Sequence, residues 1–206
     1  NFLTLDLGRG YIYANAATTD FEFSGEFNVE PVTYTLTLQS QVEDLKGFHL
    51  IGNPFAHDIT MSHLTGATLA SGFYVLSNDG AWSAKSSSDD KIAAGQGALI
   101  KTTEEGDLTI VKNVSSKSRA VNNGQLMINV ANSRYNDVAY VSFNKGIGLN
   151  KIAHRNAEIP MVYVPVDGKN YAVATMSNDV EEIPISFEAK TMGQYTISID
   201  AEDSYF

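Results

Sequence analysis

The sequence predicts an all-β protein, two tandem antiparallel β-sandwich-like domains with little helix, and three observations carry that prediction. Tyr34, Leu36 and Leu38 share one parity with threonines between them, and Ile183, Ile185 and Phe187, then Tyr195, Ile197 and Ile199, repeat the alternation. Side chains of a strand point to opposite faces with a period of two, so each such run has one face for a core and one for water. Turn signals rich in Asn, Asp and Gly divide the chain into short runs, spaced in the second half at the roughly 8 to 12 residues typical of a β-sandwich. No stretch carries a convincing helical periodicity.

In chain order, strands are expected over residues 11–15, 21–28, 33–40, 48–52, 59–61, 73–77, 98–103 and 108–112. Asn78-Asp79-Gly80 stands between an apolar run and Ala81-Trp82, and Asp-Gly supplies the positive φ of a tight type I′ hairpin. Residues 113–124 are rich in Ser and Asn without apolar periodicity, the composition of a linker. They place a domain boundary near Ser115, giving residues 1–115 and 116–206. Strands follow over 126–131, 138–143, 159–165, 171–175, 183–188 and 194–200, with a second Asp-Gly hairpin at Asp167-Gly168. Pro184 cannot donate to a ladder, so its strand belongs at an edge or a bulge. Residues 145–158 read as a turn of helix or a long connection.

Hydrophobic residues make up 43% and charged residues 18% of the 206 positions, which is globular composition with a core to bury. Twenty-four acidic against 14 basic residues leave a net charge of -10, which repels nucleic-acid backbones and anionic membrane surfaces. The one basic cluster, Lys151, His154 and Arg155, reads as a solvated loop. Cysteine is absent, which removes disulfides, thiol nucleophiles and Cys-type zinc sites. A cysteine-free extracellular domain points to a bacterial source. No apolar run approaches a membrane span and no leader opens the chain, which reads as part of a longer polypeptide.

Candidate chemistry is sparse. His57, Asp58 and His63 are the best metal donors by type, but on one strand the two histidines would stand ~20 Å apart, and only a turn near Met61-Ser62 would bring them together. Residues 86–90 and 78–80 offer oxygen ligands for calcium without EF-hand spacing, and Asx residues serve turns for backbone reasons. Asp89-Asp90, Glu104-Glu105 and Glu181-Glu182 are adjacent carboxyls that extended chain splits across two faces, unlike a glycosidase pair. No Gly-x-Ser-x-Gly elbow is present. Gly95-Gln96-Gly97 leads into a strand instead of a helix, so it is a turn and not a phosphate loop. Trp82 with Tyr74 forms a sugar-stacking platform if both rings point outward; core packing is the competing role for rings of that area.

Four stretches carry a resemblance: Gly10-Tyr11-Ile12-Tyr13-Ala14-Asn15, Phe23-Ser24-Gly25-Glu26-Phe27-Asn28, Gly47-Phe48-His49-Leu50-Ile51-Gly52-Asn53-Pro54-Phe55 and Gly95-Gln96-Gly97-Ala98. Together they resemble a recurrent series near the C-terminal ends of large secreted and surface proteins of the Bacteroidetes. Phe48 stands where that series usually has tryptophan. Residues 137–143, Pro160-Met161-Val162-Tyr163, 183–187 and 193–197 look like the partner domain of the series, so the likeness spans nearly the whole chain. It implies export, a modular parent with a further sorting segment, and no catalytic residue.

The expectation is therefore a non-enzymatic structural or adhesive module of an exported bacterial cell-surface protein, without cofactor or metal. Its partners would be neighbouring domains of the parent or an extracellular glycan or protein ligand, with neither nucleic acid nor membrane insertion. The alternative is a carbohydrate-binding accessory module stacking sugars on Trp82 and Tyr74, with Tyr11 or Tyr13 adjoining.

Overall fold

The computed structural model describes residues 4–14, 17, 20, 22, 24–87, 89–114 and 124–202. Among them the chain is all-β, with 3₁₀ turns at Glu43–Leu45 and Met61–His63 as its helical elements. The strands are β1 (Val32–Leu36), β2 (Phe48–Gly52), β3 (Leu64–Thr65), β4 (Phe73–Leu76), β5 (Trp82–Lys85), β6 (Gly97–Lys101), β7 (Gly106–Ile110), β8 (Gln125–Ala131), β9 (Asn136–Ser142), β10 (Leu149–Asn150), β11 (Met161–Val166), β12 (Lys169–Thr175), β13 (Ser186–Glu188) and β14 (Thr196–Glu202).

The first half stacks a three-stranded sheet, β1-β7-β3, on a four-stranded sheet, β2-β6-β4-β5. Leu36, Leu108, Ile110 and Leu64 from the first meet Ile51, Ala98, Ile100 and Phe73 from the second, with Phe55, Ile59 and Ile92 closing the core. The four-stranded sheet is apolar on its other face too. Along β4 the side chains divide by parity: Phe73 and Val75 enter this core, while Tyr74 and Leu76 join a second one. Such a strand reads as a continuous apolar run, Phe-Tyr-Val-Leu, because neither face meets water.

In the second half the order is β13-β11-β12-β9-β8-β14, with β10 beside β12. β12 and β9 run parallel, through Val173↔Tyr140 to Thr175↔Ser142, in an otherwise antiparallel arrangement. Beyond its pairing with β12 at Val164, β11 pairs through Met161 to Tyr163 with β13. Its Val162 and Val164 pack with Ile128, Val130, Ala139 and Val141 in a third core. Sheets and cores therefore alternate, and the middle core is shared between the halves. Residues 115–123, where the junction is expected, lie outside the described residues.

Several elements depart from expectation. Residues 11–14 are irregular, as are the described residues of 21–28. The preceding chain reaches β2 by an isolated bridge, Arg9 to Ile51, and by two bonds, Gly10 N–H to Leu50 O and Gly52 N–H to Gly8 O. Both Asp-Gly hairpins exist, but with different turns. Asp167 and Gly168 have φ of 48° and 75°, as a type I′ turn requires, whereas at the first hairpin φ is positive only at Gly80 (89°). Val166 pairs directly with Lys169, while Leu76 pairs with Trp82 across a longer loop closed by Ser77 N–H to Ala81 O. The first loop is thus the wider turn that ends in a left-handed glycine, which a two-residue rule does not anticipate. β13 begins two residues after Pro184 and lies at a sheet edge, as proline demands. Residues 145–158 form an irregular connection carrying the short β10.

Candidate functional site

The residues with chemical potential converge on the shared core, and they are spent there on structure. Tyr74 is wholly buried and Trp82 is 7% exposed, packed with Ala84 against Leu149, Ile152, Ala172 and Val173 of the second half. A stacking platform needs an open ring face, so these two rings do not supply one. Their parity decides this: residues 74, 82 and 84 point away from the first core, where the second half covers them. The Tyr74 hydroxyl donates to Asn150 O at 2.6 Å, and burial, then the charge of Asp137, holds that phenol well above its usual value.

Polar bonds stitch the same seam. Lys101 Nζ, 5.0 Å from the Phe48 ring centroid, donates to Asn150 Oδ1 at 2.6 Å. Ser71 N–H donates to Ile147 O at 2.7 Å, Arg155 N–H to Gly80 O at 2.9 Å, and Gln125 Nε2 to Ser86 Oγ at 2.7 Å. Trp82 N–H donates to His154 Nδ1 at 3.1 Å. That bond assigns the neutral tautomer, with the proton on Nε2 facing Asp137 Oδ1 at 3.3 Å.

Asp137 is the hub that sequence reasoning missed. Its side chain is 1% exposed, and its Oδ2 accepts from Lys151 Nζ and, at 2.8 Å, from Val162 N–H. Lys151 and His154 are 3% and 2% exposed at the side chain, so the basic cluster is not a solvated loop; only Arg155 stays in water. Burial alone would raise the Asp137 carboxyl, but His154 and Lys151 outweigh it and hold the group below the usual carboxylate range. Burial lowers the Lys151 ammonium against the pull of Asp137. The signal in the sequence was an acid opening an apolar strand and a lysine between Leu149 and Ile152, both places where a charge needs a partner. The His154 Nδ1 accepts from backbone, and its Nε2, which makes no hydrogen bond, is buried against a carboxylate locked by a lysine.

Elsewhere the candidates are likewise occupied. The 3₁₀ turn at Met61–His63 does bring the His57 and His63 rings to a centroid distance of 6.4 Å. Yet His63 Nδ1 accepts from Thr60 N–H, His57 Nε2 lies 3.1 Å from Lys112 O, and no third donor joins them among the described residues. Asp90 Oδ2 accepts from Ser86 and Ser87 N–H, and Asp79 Oδ1 from Ala81 N–H and the Ser77 hydroxyl, so both carboxylates close their own turns. Glu104 binds the Thr68 hydroxyl and Glu105 accepts from Leu38 N–H, which separates that pair. An open groove of about 550 Å³ runs between Arg134, Tyr135 and Glu158 and residues 191–196, and its one ion pair, Arg134 to Glu158, is 3.9 Å long and exposed.

No protein-family model, curated protein or solved structure matches this chain. The motif residues can therefore be judged only by what they do in the fold. Asn53 is 5% exposed; its Nδ2 reaches His57 O, Ile92 O and Ala93 O at 2.8 to 3.1 Å, while its Oδ1 accepts from Phe55 N–H. Gln96 Oε1 accepts from Ala93 N–H, and Asn53 N–H donates to Gln96 O. Asn53-Pro54-Phe55 and Gly95-Gln96-Gly97 are thus two halves of one corner that satisfies buried backbone.

Proposed function

We propose that this chain is a non-catalytic structural module of an exported bacterial cell-surface protein, presenting or docking neighbouring domains or an extracellular ligand. The observation that carries the reading is the seam: tyrosine, tryptophan, histidine, lysine and aspartate, the groups from which sites are built, are buried there joining two halves. A seam with an apolar core and matched polar bonds resists hinge motion, which suits a spacer that holds what lies on either side at a fixed distance. The absence of cysteine and the likeness to Bacteroidetes surface proteins support export. Among the described residues no helix is long and apolar enough to cross a membrane.

Two measurements test this. Antibody against the chain should label intact cells of the source bacterium, and single-molecule energy transfer between dyes on Thr35 and Asn129 should give one narrow population. Labelling only after lysis, or turnover of a glycan or peptide panel by the purified chain, would overturn the proposal.

A further inference from the structure

Among the described residues nothing covers either face of β14. It holds to the molecule through an unbroken ladder with β8, from Thr196↔Ala131 to Glu202↔Gln125. Residues Thr196 to Ala201 are all exposed. Its parity is nevertheless written for a core. Ile197 stands opposite Val130 and Ile199 opposite Ile128; those β8 residues are at 0% and 1% exposure, while Ile197 and Ile199 are at 51% and 57%. The apolar face of the sheet thus extends one strand beyond the β11 and β13 layer that covers it. Phe187 on β13 meets Tyr195 at 5.5 Å between ring centroids, closing one end of the opening.

The second feature is the edge itself. In an antiparallel ladder alternate residues turn their N–H and C=O outward, and β14 is the last strand of its order. Exposed edges are usually blunted by charged side chains, a proline or a bulge. β14 has no proline and no bulge, and its charges are the acids Asp200 and Glu202 near its end: its sequence is Thr-Ile-Ser-Ile-Asp-Ala-Glu and its register is regular.

We propose that the free edge of β14 takes up an extended polypeptide segment as an added strand, apolar at alternate positions over Ile197 and Ile199 and basic where it passes Asp200. Main-chain bonds give such strand addition its affinity, and alternate side chains give it specificity. Charge selects the occupant. Among the described residues Asp200 is exposed on β14, Glu188 on β13, and Asp179, Glu181 and Glu182 on the chain leading to β13, against Lys190 and Arg134, which lines the groove beside Thr196. A second copy of a chain with net charge -10 is repelled here, whereas a segment carrying lysine or arginine is drawn in. This deepens the docking role proposed above and rests on it only for biological setting, since binding is read on the purified chain.

The test uses a fluorescein-labelled peptide, Thr-Val-Lys-Val-Lys-Val-Thr between Gly-Ser tails, followed by anisotropy at low salt. Saturable binding is expected, weakened at least tenfold by Ile197→Ser with Ile199→Ser, substitutions at exposed positions that leave the far-UV spectrum unchanged. Asp200→Lys should reverse the preference, so that the peptide with glutamate in place of lysine binds the better of the two. Failure of the original peptide to saturate, equal binding of a peptide with its valines grouped together, or indifference to the paired serine variant would overturn the proposal. So would a wild-type dimer, by light scattering, that Ile199→Lys dissociates, which would assign the edge to a second copy.

Discussion

Substituting Asp137 by asparagine should cost the fold about 3–5 kcal/mol, most of what a marginally stable domain has to lose. The figure follows from what is left behind. Asparagine keeps an acceptor for Val162 N–H, so no backbone donor is orphaned. The ammonium of Lys151, 3% exposed at the side chain, loses its counter-charge. Its one escape is to release its proton, which from the ordinary value of 10.5 costs at most about 5 kcal/mol at pH 7, a ceiling that agrees with the estimate. Lys151→Met should cost a similar amount by stranding the carboxylate, and the double variant should recover about 2 kcal/mol or more relative to the sum of the singles. Urea unfolding at pH 7 reads all three by the fluorescence of Trp82, the only tryptophan, which sits at the seam. The acid limb gives an independent sign. A carboxyl held below its unfolded value stabilises the fold above pH ~3.8 and loses that contribution as pH falls through the folded value, so Asp137→Asn should remove that part of the acid dependence. A loss under about 1 kcal/mol, or strictly additive singles, would refute the argument that this pair is a buried, mutually dependent charge.

Three further outcomes are expected. Trp82→Ala, opening a cavity between the halves, should cost about 3–5 kcal/mol by calorimetry, and the dye pair across the seam should broaden if the ring rivets it. Asn53→Ala should cost about 1–3 kcal/mol in denaturant titration by leaving the buried Phe55 N–H without its acceptor and His57 O without the Asn53 amide; Asn53→Asp should cost more, since a carboxylate faces three carbonyls. His63 is lowered by burial, then by His57, so the stability it contributes is present above pH ~6.5 and declines as pH falls through its folded value; thermal scans of His63→Gln between pH 7 and 5 should be flatter than those of the parent.

Much of the fold was legible because period-two patterning is a local property. Tyr34 to Leu36, Ile128 to Val130 and the Asp167-Gly168 turn each advertise their conformation within a few residues. The failures at residues 11–14 and at the described residues of 21–28 share one cause: a strand needs a partner edge, and alternation cannot say whether one is free. The Asn78 to Gly80 loop shows the same limit at smaller scale, where the dipeptide was right and the closing pair, Ser77 with Ala81, one residue wider.

Composition and alternation were enough to establish an all-β chain, an acidic exterior and the lack of any cysteine chemistry. The tertiary structure alone decided that Tyr74 and Trp82 face inward, that Lys151 and His154 leave water to meet Asp137, and that Ile197 and Ile199 do not reach cover. Parity tells which side chains share a face, but what lies against that face is set by other segments, 14 residues away for Asp137 with Lys151 and 76 for Tyr74 with Asn150, and burial is a property of that meeting.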